Sequence, residues 1–121
     1  MVKALFDTNI LIDYLSAVPE ARVELGRYSG KAISVVTWME VMIGAAPDLQ
    51  AVTHQFLHAF DVIGIEERVA GQAVELRRSF RIKLPDAIIW ATAQIHGLLL
   101  VTRNNKDFPA DDPGVRVPYT I

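Results

Sequence analysis

At 121 residues the chain is long enough for one domain with a single sizeable core. It contains no cysteine, which excludes disulfides, thiolate zinc sites and cysteine nucleophiles together and fits a reducing compartment. A net charge of -2 offers no general attraction to nucleic acid unless bound cations neutralise an acidic site, while 51% hydrophobic residues and a mean hydropathy of +0.25 predict apolar surface buried against another chain.

Val2 to Phe6 is a short apolar run closed by Asp7, and Ile10, Leu11, Tyr14 and Leu15 follow at helical spacing, so the chain is expected to open as strand then helix. This start is too short and too polar for a signal peptide, and a cytoplasmic location is expected. Pro19 restarts the chain as a short helix through Glu20 to Tyr28, Ser29-Gly30 turns it, and Ala32 to Val36 is the second predicted strand. Thr37 opens a helix ending near Gly44 to Ala46, and Pro47 starts the next, with Leu49, Val52, Phe56, Leu57 and Phe60 on one side. Val62 to Ile65 is a short strand, after which Glu66-Glu67 begin a long amphipathic helix with Val69, Ala73, Leu76 and Phe80 as its stripe. Leu84-Pro85 breaks that helix. Asp86 to His96 is apolar almost all round, as a buried helix would be, and Gly97 caps it. Leu98 to Val101 reads as a central parallel strand and Val115 to Val117 as a marginal last one. Pro85, Asp86, Gln94, His96 and Gly97 interrupt the longest apolar stretch, so it cannot be a membrane span. Strands alternating with helices, without repeats or linkers, give an α/β class with a mostly parallel sheet in one domain over residues 1–121.

Three acids stand out in this frame. Asp7, Glu40 and Asp86 each follow a strand-like or loop segment at or near a helix start, and such positions lie along one edge of a parallel sheet. Each has an ordinary alternative. Asp7 could cap the first helix, Glu40 stands at capping-box spacing from Thr37, and Asp86 after Pro85 suits a helix dipole. Yet Asp7 is the only charged residue from Ala4 to Ile12 and Asp86 the only one from Leu84 to Ile95, so neither has a local basic partner. Carboxylates in such apolar windows must be paired, protonated or metal-bound, and a shared hard cation, Mg²⁺ or Mn²⁺, accounts for all three at once. After the last long strand, Asn104 and Asp107 add a neutral and a charged oxygen whose i,i+3 spacing would bring them to one side of a helical turn.

Asp7-Thr8-Asn9, Ser34 to Gly44 with Thr37 and Glu40, Pro85-Asp86 opening an Ala-rich helix, and Thr102-Arg103-Asn104 before Asp107-Phe108 together resemble the PIN domain, and specifically the VapC-type toxins of toxin–antitoxin pairs. The resemblance covers essentially the whole chain. It implies a PIN-like three-layer α/β/α fold and a metal-dependent endoribonuclease, a homodimer, silenced by a VapB-type antitoxin. Asp7, Glu40 and Asp86 match the acidic metal-site residues. The fourth acidic position is Asn104 here, so either its amide or Asp107 would complete the site.

A nuclease acting on DNA would carry the same metal site. A phospho-acceptor receiver domain would suit the length but needs paired acids after the first strand, where this chain has Asp7 alone, and a silent binding module is suggested only by Asn104. His54 and His58 have the spacing of a helical metal pair but no evident third ligand, and His96 reads as a helix-end residue. Arg77, Arg78, Arg81 and Lys83 before Asp86, with Arg103 and Lys106 beside Asn104, are candidate phosphate contacts. Ile10, Leu11, Tyr14, Leu15, Val18, Val23, Leu25 and Tyr28 give the first two helices more apolar surface than one packed face requires, and an antitoxin helix is expected to lie across them.

Overall fold

The computed structural model describes residues 3–120. A five-stranded, all-parallel sheet runs in the order β3-β2-β1-β4-β5, formed by β1 (Lys3–Phe6), β2 (Gly30–Ser34), β3 (Asp61–Ile63), β4 (Leu99–Val101) and β5 (Val115–Arg116). Six α-helices connect them: α1 (Thr8–Leu15), α2 (Pro19–Leu25), α3 (Val35–Gly44), α4 (Gln50–Leu57), α5 (Glu67–Phe80) and α6 (Leu84–His96).

Side chains alternate across a strand, so β1 and β4 feed two cores. Leu5 and Leu100 point to one face, where Val69, Ala73 and Leu76 of α5 and Ile89 and Trp90 of α6 cover them. Ala4, Phe6 and Val101 point to the other, against Ile10 and Leu11 of α1, Leu25, Val41 and Leu57. All five strand residues are fully buried, as continuous apolar strands covered on both faces must be. The result is three layers, helices on each side of the sheet.

Several predicted boundaries move. The second strand is Gly30–Ser34, not Ala32 to Val36, because Ser34 turns out of the sheet to cap α3, its hydroxyl accepting from the Val36 amide at 3.1 Å. A real cap outweighed the β-branched pair Val35-Val36. Thr37 therefore lies inside α3, fully buried, and makes no capping box with Glu40. Pro47–Leu49 is a 3₁₀ turn before α4, and α2 ends at Leu25, short of Tyr28. Leu84 and Pro85 form the first turn of α6 and the break falls before them, at Arg81, which is left-handed with φ 54°. Proline fits a first helical turn because its missing N–H has no helical acceptor there. Gly97, at φ 65°, caps α6 as expected. The strands expected at 98–101 and 115–117 are present in shorter form, the one expected at 62–65 is shifted to Asp61–Ile63, and Val2 lies outside the described residues.

From β1 the chain winds outward to β2 and β3, then crosses back to β4 and out to β5. Strand order reverses between β1 and β4, and a crevice opens at the carboxyl ends of two such strands.

Candidate active site

Asp7 sits at that switch point, directly after β1 and bonded to the end of β4. Its amide donates to the Val101 carbonyl at 2.9 Å, and only 4% of it is exposed. Its carboxylate accepts from the Thr8 amide at 2.8 Å, the Thr102 hydroxyl at 2.7 Å and Asn9 Nδ2 at 3.2 Å. All three donors are neutral. Burial pushes its pKa up to about 6, with the charges of Asp86 and Glu40 adding to the rise and the Thr102 and Thr8 hydrogen bonds opposing it. Asp7 is thus the α1 cap that one reading of the sequence expects and, at the same time, the most buried member of an acidic group.

Glu40 lies in α3, and its Oε1 accepts from the Thr8 hydroxyl at 2.6 Å, which in turn stands 3.0 Å from the hydroxyl of Thr37. Asp86, half-buried in the first turn of α6, has its pKa raised by burial and by the charges of Asp107 and Glu40, with Lys83 acting the other way. The fourth element is the turn after β4. Asn104 Nδ2 donates to Asp107 Oδ2 at 2.9 Å, while Asn104 Oδ1 accepts from the Lys106 and Asp107 amides at 3.2 and 3.3 Å. The Asn104 oxygen is therefore spent on its own turn, and Asp107 is the acid that faces Asp86. Phe108 anchors this turn, fully buried edge-on to Trp90 at 5.7 Å between ring centroids.

Asp7, Glu40, Asp86 and Asp107 raise or feel one another's charge, and among the described residues none of them has an Arg, Lys or His ion pair within 4.0 Å. Among the described residues no three His, Asp or Glu close around one point as the side chains stand. Glu40, Asp7 and Asp107 are instead each turned onto a hydroxyl or amide donor. The donor set is entirely oxygen, with one carboxylate nearly dry, which fits a hard divalent cation and no soft one.

Other expectations separate. Arg103 is committed in part to the protein: Nε and Nη2 grip Asp13 at 2.6 and 3.0 Å. Arg77 donates to the Ile82 carbonyl at 3.0 Å and closes the α5–α6 junction. Arg81, Lys83 and Lys106 remain exposed around the acidic edge. His54 and His58 stand with ring centroids 4.8 Å apart on the exposed face of α4, and His96 lies 3.3 Å from Glu66. Sequence reasoning missed Asp13, Glu24, Arg116 and Tyr119. Buried Glu24 receives Arg116 Nε at 2.7 Å and the Tyr28 hydroxyl at 2.7 Å, and buried Asp13 receives Arg103 and the Tyr119 hydroxyl at 2.9 Å. The arginines Arg103 and Arg116 lie 90 and 92 residues from these acids in sequence, beyond any periodic signal, whereas Tyr28 and Arg27 stand within one helical turn of Glu24.

Among the apolar residues expected on the first two helices, Ile10, Leu11, Leu25 and Tyr28 are core, and Leu15 and Val23 are exposed. Ile12, Leu15, Leu49 and Val52 rim a groove of about 410 Å³ floored by Val41 and Thr53. No helix among the described residues is long and apolar enough to cross a membrane.

The PIN domain family model matches residues 4–110. Ribonuclease VapC10 of Mycobacterium tuberculosis is 33% identical over 125 aligned residues, covering 97% of this chain and 93% of that protein. The tRNA(fMet)-specific endonuclease VapC of Shigella flexneri is 34% identical, with 89% and 91% covered. A chain in a toxin–antitoxin complex from Klebsiella pneumoniae superposes with a TM-score of 0.92 at 51% identity, over 98% of this chain and 100% of that one.

Proposed function

The chain belongs to the PIN-domain family, in its VapC branch, and on that footing we propose that it is a divalent-metal-dependent endoribonuclease, the toxin of a toxin–antitoxin pair. One observation carries the chemistry. Among the described residues the other two buried carboxylates, Asp13 and Glu24, are each matched to an arginine, whereas the acids at the carboxyl edge of β1 and β4 have only neutral donors. Leaving such a group unneutralised is costly unless a cation completes it.

Asp7, Glu40, Asp86 and Asp107 would hold Mg²⁺ or Mn²⁺, with Asn104 orienting Asp107 rather than ligating. When bound, the cation lowers the pKa of a water and offsets charge on the scissile phosphate. Thr102 and Thr8 each spend one hydroxyl proton on a carboxylate, which fixes Asp7 and Glu40 and leaves their remaining lone pairs free. Exposed Arg81, Lys83 and Lys106 flank the edge where RNA phosphates would lie.

The proposal extends to assembly. The toxin–antitoxin complex from Klebsiella pneumoniae supports a VapB-type partner for this chain, whose apolar helix face would fill the groove rimmed by Ile12, Leu15, Leu49 and Val52. A homodimer would use the exposed Val74, Phe80 and Leu84 of α5 and α6, the whole acting as one PIN-like unit over 1–121 in the cytoplasm.

The deciding experiment incubates the purified chain with total RNA and with single-stranded DNA, in Mg²⁺, in Mn²⁺ and in chelator. RNA cleavage that appears with metal and vanishes with chelator is expected. Cleavage of DNA alone, or of RNA in chelator, would overturn the proposal.

A further inference from the structure

The Thr102–Phe108 turn is fixed at both ends. Phe108 plugs the hydrophobic core at the far end, a packing anchor. The near end is held by charge. Asp13, in the last turn of α1 and 5% exposed, accepts from Arg103 through both oxygens at 2.6 and 3.0 Å, and its Oδ2 also accepts the Tyr119 hydroxyl at 2.9 Å. The Arg103 amide donates to Asn9 Oδ1 at 3.2 Å, and Asn9 Nδ2 donates on to Asp7. Arg103 is followed directly by Asn104, whose side chain orients Asp107. Hydrogen bonds joined through the covalent chain at Arg103 and Asn104 therefore connect Asp13 to two of the acids on the carboxyl edge, although Asp13 itself has no part in the proposed cleavage.

We infer that Asp13, with Tyr119, is a positioning residue: a buried ionic latch that fixes Arg103 and thereby holds the Asn104–Asp107 turn in register with Asp7. This rests on the nuclease reading for its consequence and not for its geometry. A bidentate arginine–carboxylate pair defines the orientation of both planes, which a packing contact does not. The third donor, Tyr119, comes from the chain's last described residues and restricts Asp13 to the rotamer that meets Arg103. Outer groups that orient ligating residues typically alter metal affinity or activity ten- to a hundredfold when removed.

The test uses the full chain and two variants, Asp13→Asn and Tyr119→Phe. Amide hydrogen exchange over residues 103–107, Mn²⁺ affinity by calorimetry, and kcat and KM on an RNA substrate are measured for each. In Asp13→Asn, exchange over 103–107 should quicken at least about tenfold while α5 and α6 keep their protection, Mn²⁺ binding should weaken, and kcat should fall about ten- to a hundredfold with KM little changed. Tyr119→Phe should move the same quantities less. Unchanged exchange over 103–107 in a folded variant, or wild-type kcat per folded molecule, would overturn the latch. Should Asp13→Asn not fold, Tyr119→Phe decides by the same measurements, since it leaves the ion pair in place. A wild type that cleaves no RNA sinks the nuclease reading, and exchange with Mn²⁺ affinity then decides the latch alone.

Discussion

Two groups of buried acid in this molecule are solved in opposite ways. Asp13 and Glu24, on α1 and α2, each receive an arginine from the far end of the chain and a tyrosine hydroxyl, Tyr119 for Asp13 and nearby Tyr28 for Glu24. Burial alone would raise the Glu24 pKa, but the Arg116 and Tyr28 hydrogen bonds and the Arg116 charge outweigh it and hold it below the ordinary carboxylate value. Asp7, just as buried, has neutral donors and acidic neighbours, and its pKa rises to about 6. The chain has the means to neutralise a buried carboxylate internally and uses it twice. Where it does not, the unneutralised charge is what the proposed cation would complete. Asp13 and Glu24 are closed by arginine, and the acids at the carboxyl edge of β1 and β4 are left open.

The sharpest way to break the comparison is Asp7→Asn. Asparagine keeps size and capping ability but removes ligand charge. RNA cleavage should fall at least about a thousandfold, the several kcal/mol that a metal contributes to transition-state charge. The fold should stay intact and melt no lower, because a repelled charge has been removed. Retained turnover would reduce Asp7 to a helix cap.

On the closed side the effect should be the reverse, large on stability and small on chemistry. Arg116→Ala takes from Glu24, whose side chain is 4% exposed, its two-point arginine partner, which should cost about 3 kcal/mol, the low end for a broken buried pair because Arg116 is itself 35% exposed and Arg27 remains 3.7 Å from Glu24. Urea unfolding measures it. A loss below about 0.5 kcal/mol would place the pair with ordinary surface ion pairs.

Linkage gives the two groups opposite signs in pH. With metal chelated, the raised Asp7 pKa means that the folded state holds the proton more tightly than the unfolded one. Stability from Asp7 is then fully present below about pH 3.8 and lost as pH rises through about 6. Glu24, lowered, stabilises above its ordinary value of 4.5 and loses this as pH falls. Between pH 4 and 7 the wild type should lose up to about 3 kcal/mol that Asp7→Asn does not lose, from a shift of about two units. Mg²⁺ at pH 7 should restore it in the wild type only. Parallel pH curves for the two proteins would show that Asp7 shares no unusual field.

Much of this was legible in the sequence, and the unread part has a common cause. The central strands and α6 announce themselves because they are apolar on every side, and Asp7 and Asp86 stand out as lone charges within them. Boundaries failed where a single side chain decided them, as Ser34 did for β2 and α3. The sequence marks Arg103 as a candidate phosphate contact but not its grip on Asp13, because a basic residue beside a proposed site looks the same in sequence whether free or held by an acid 90 residues away. Long-range pairing leaves no period, so the closed acids were invisible while the open ones were not.

The smallest expected effect separates Asn104 from Asp107. Sequence alone leaves either as the fourth oxygen, but the Asn104 oxygen accepts from the Lys106 and Asp107 amides and its Nδ2 holds Asp107, so it shapes the turn and offers nothing outward. Asp107→Asn should raise the metal concentration needed for half-maximal cleavage about tenfold, since a ligand charge is lost while size and backbone contacts remain. Asn104→Ala removes an orienting group and leaves the charge. It should lower kcat by a few-fold to about tenfold with the metal requirement nearly unchanged. Titrating Mn²⁺ against initial rate distinguishes a shifted midpoint from a lowered plateau. A midpoint shift in Asn104→Ala larger than in Asp107→Asn would return Asn104 to the ligand set and make Asp107 its support, and no shift in either would leave Asp7, Glu40 and Asp86 as the whole site.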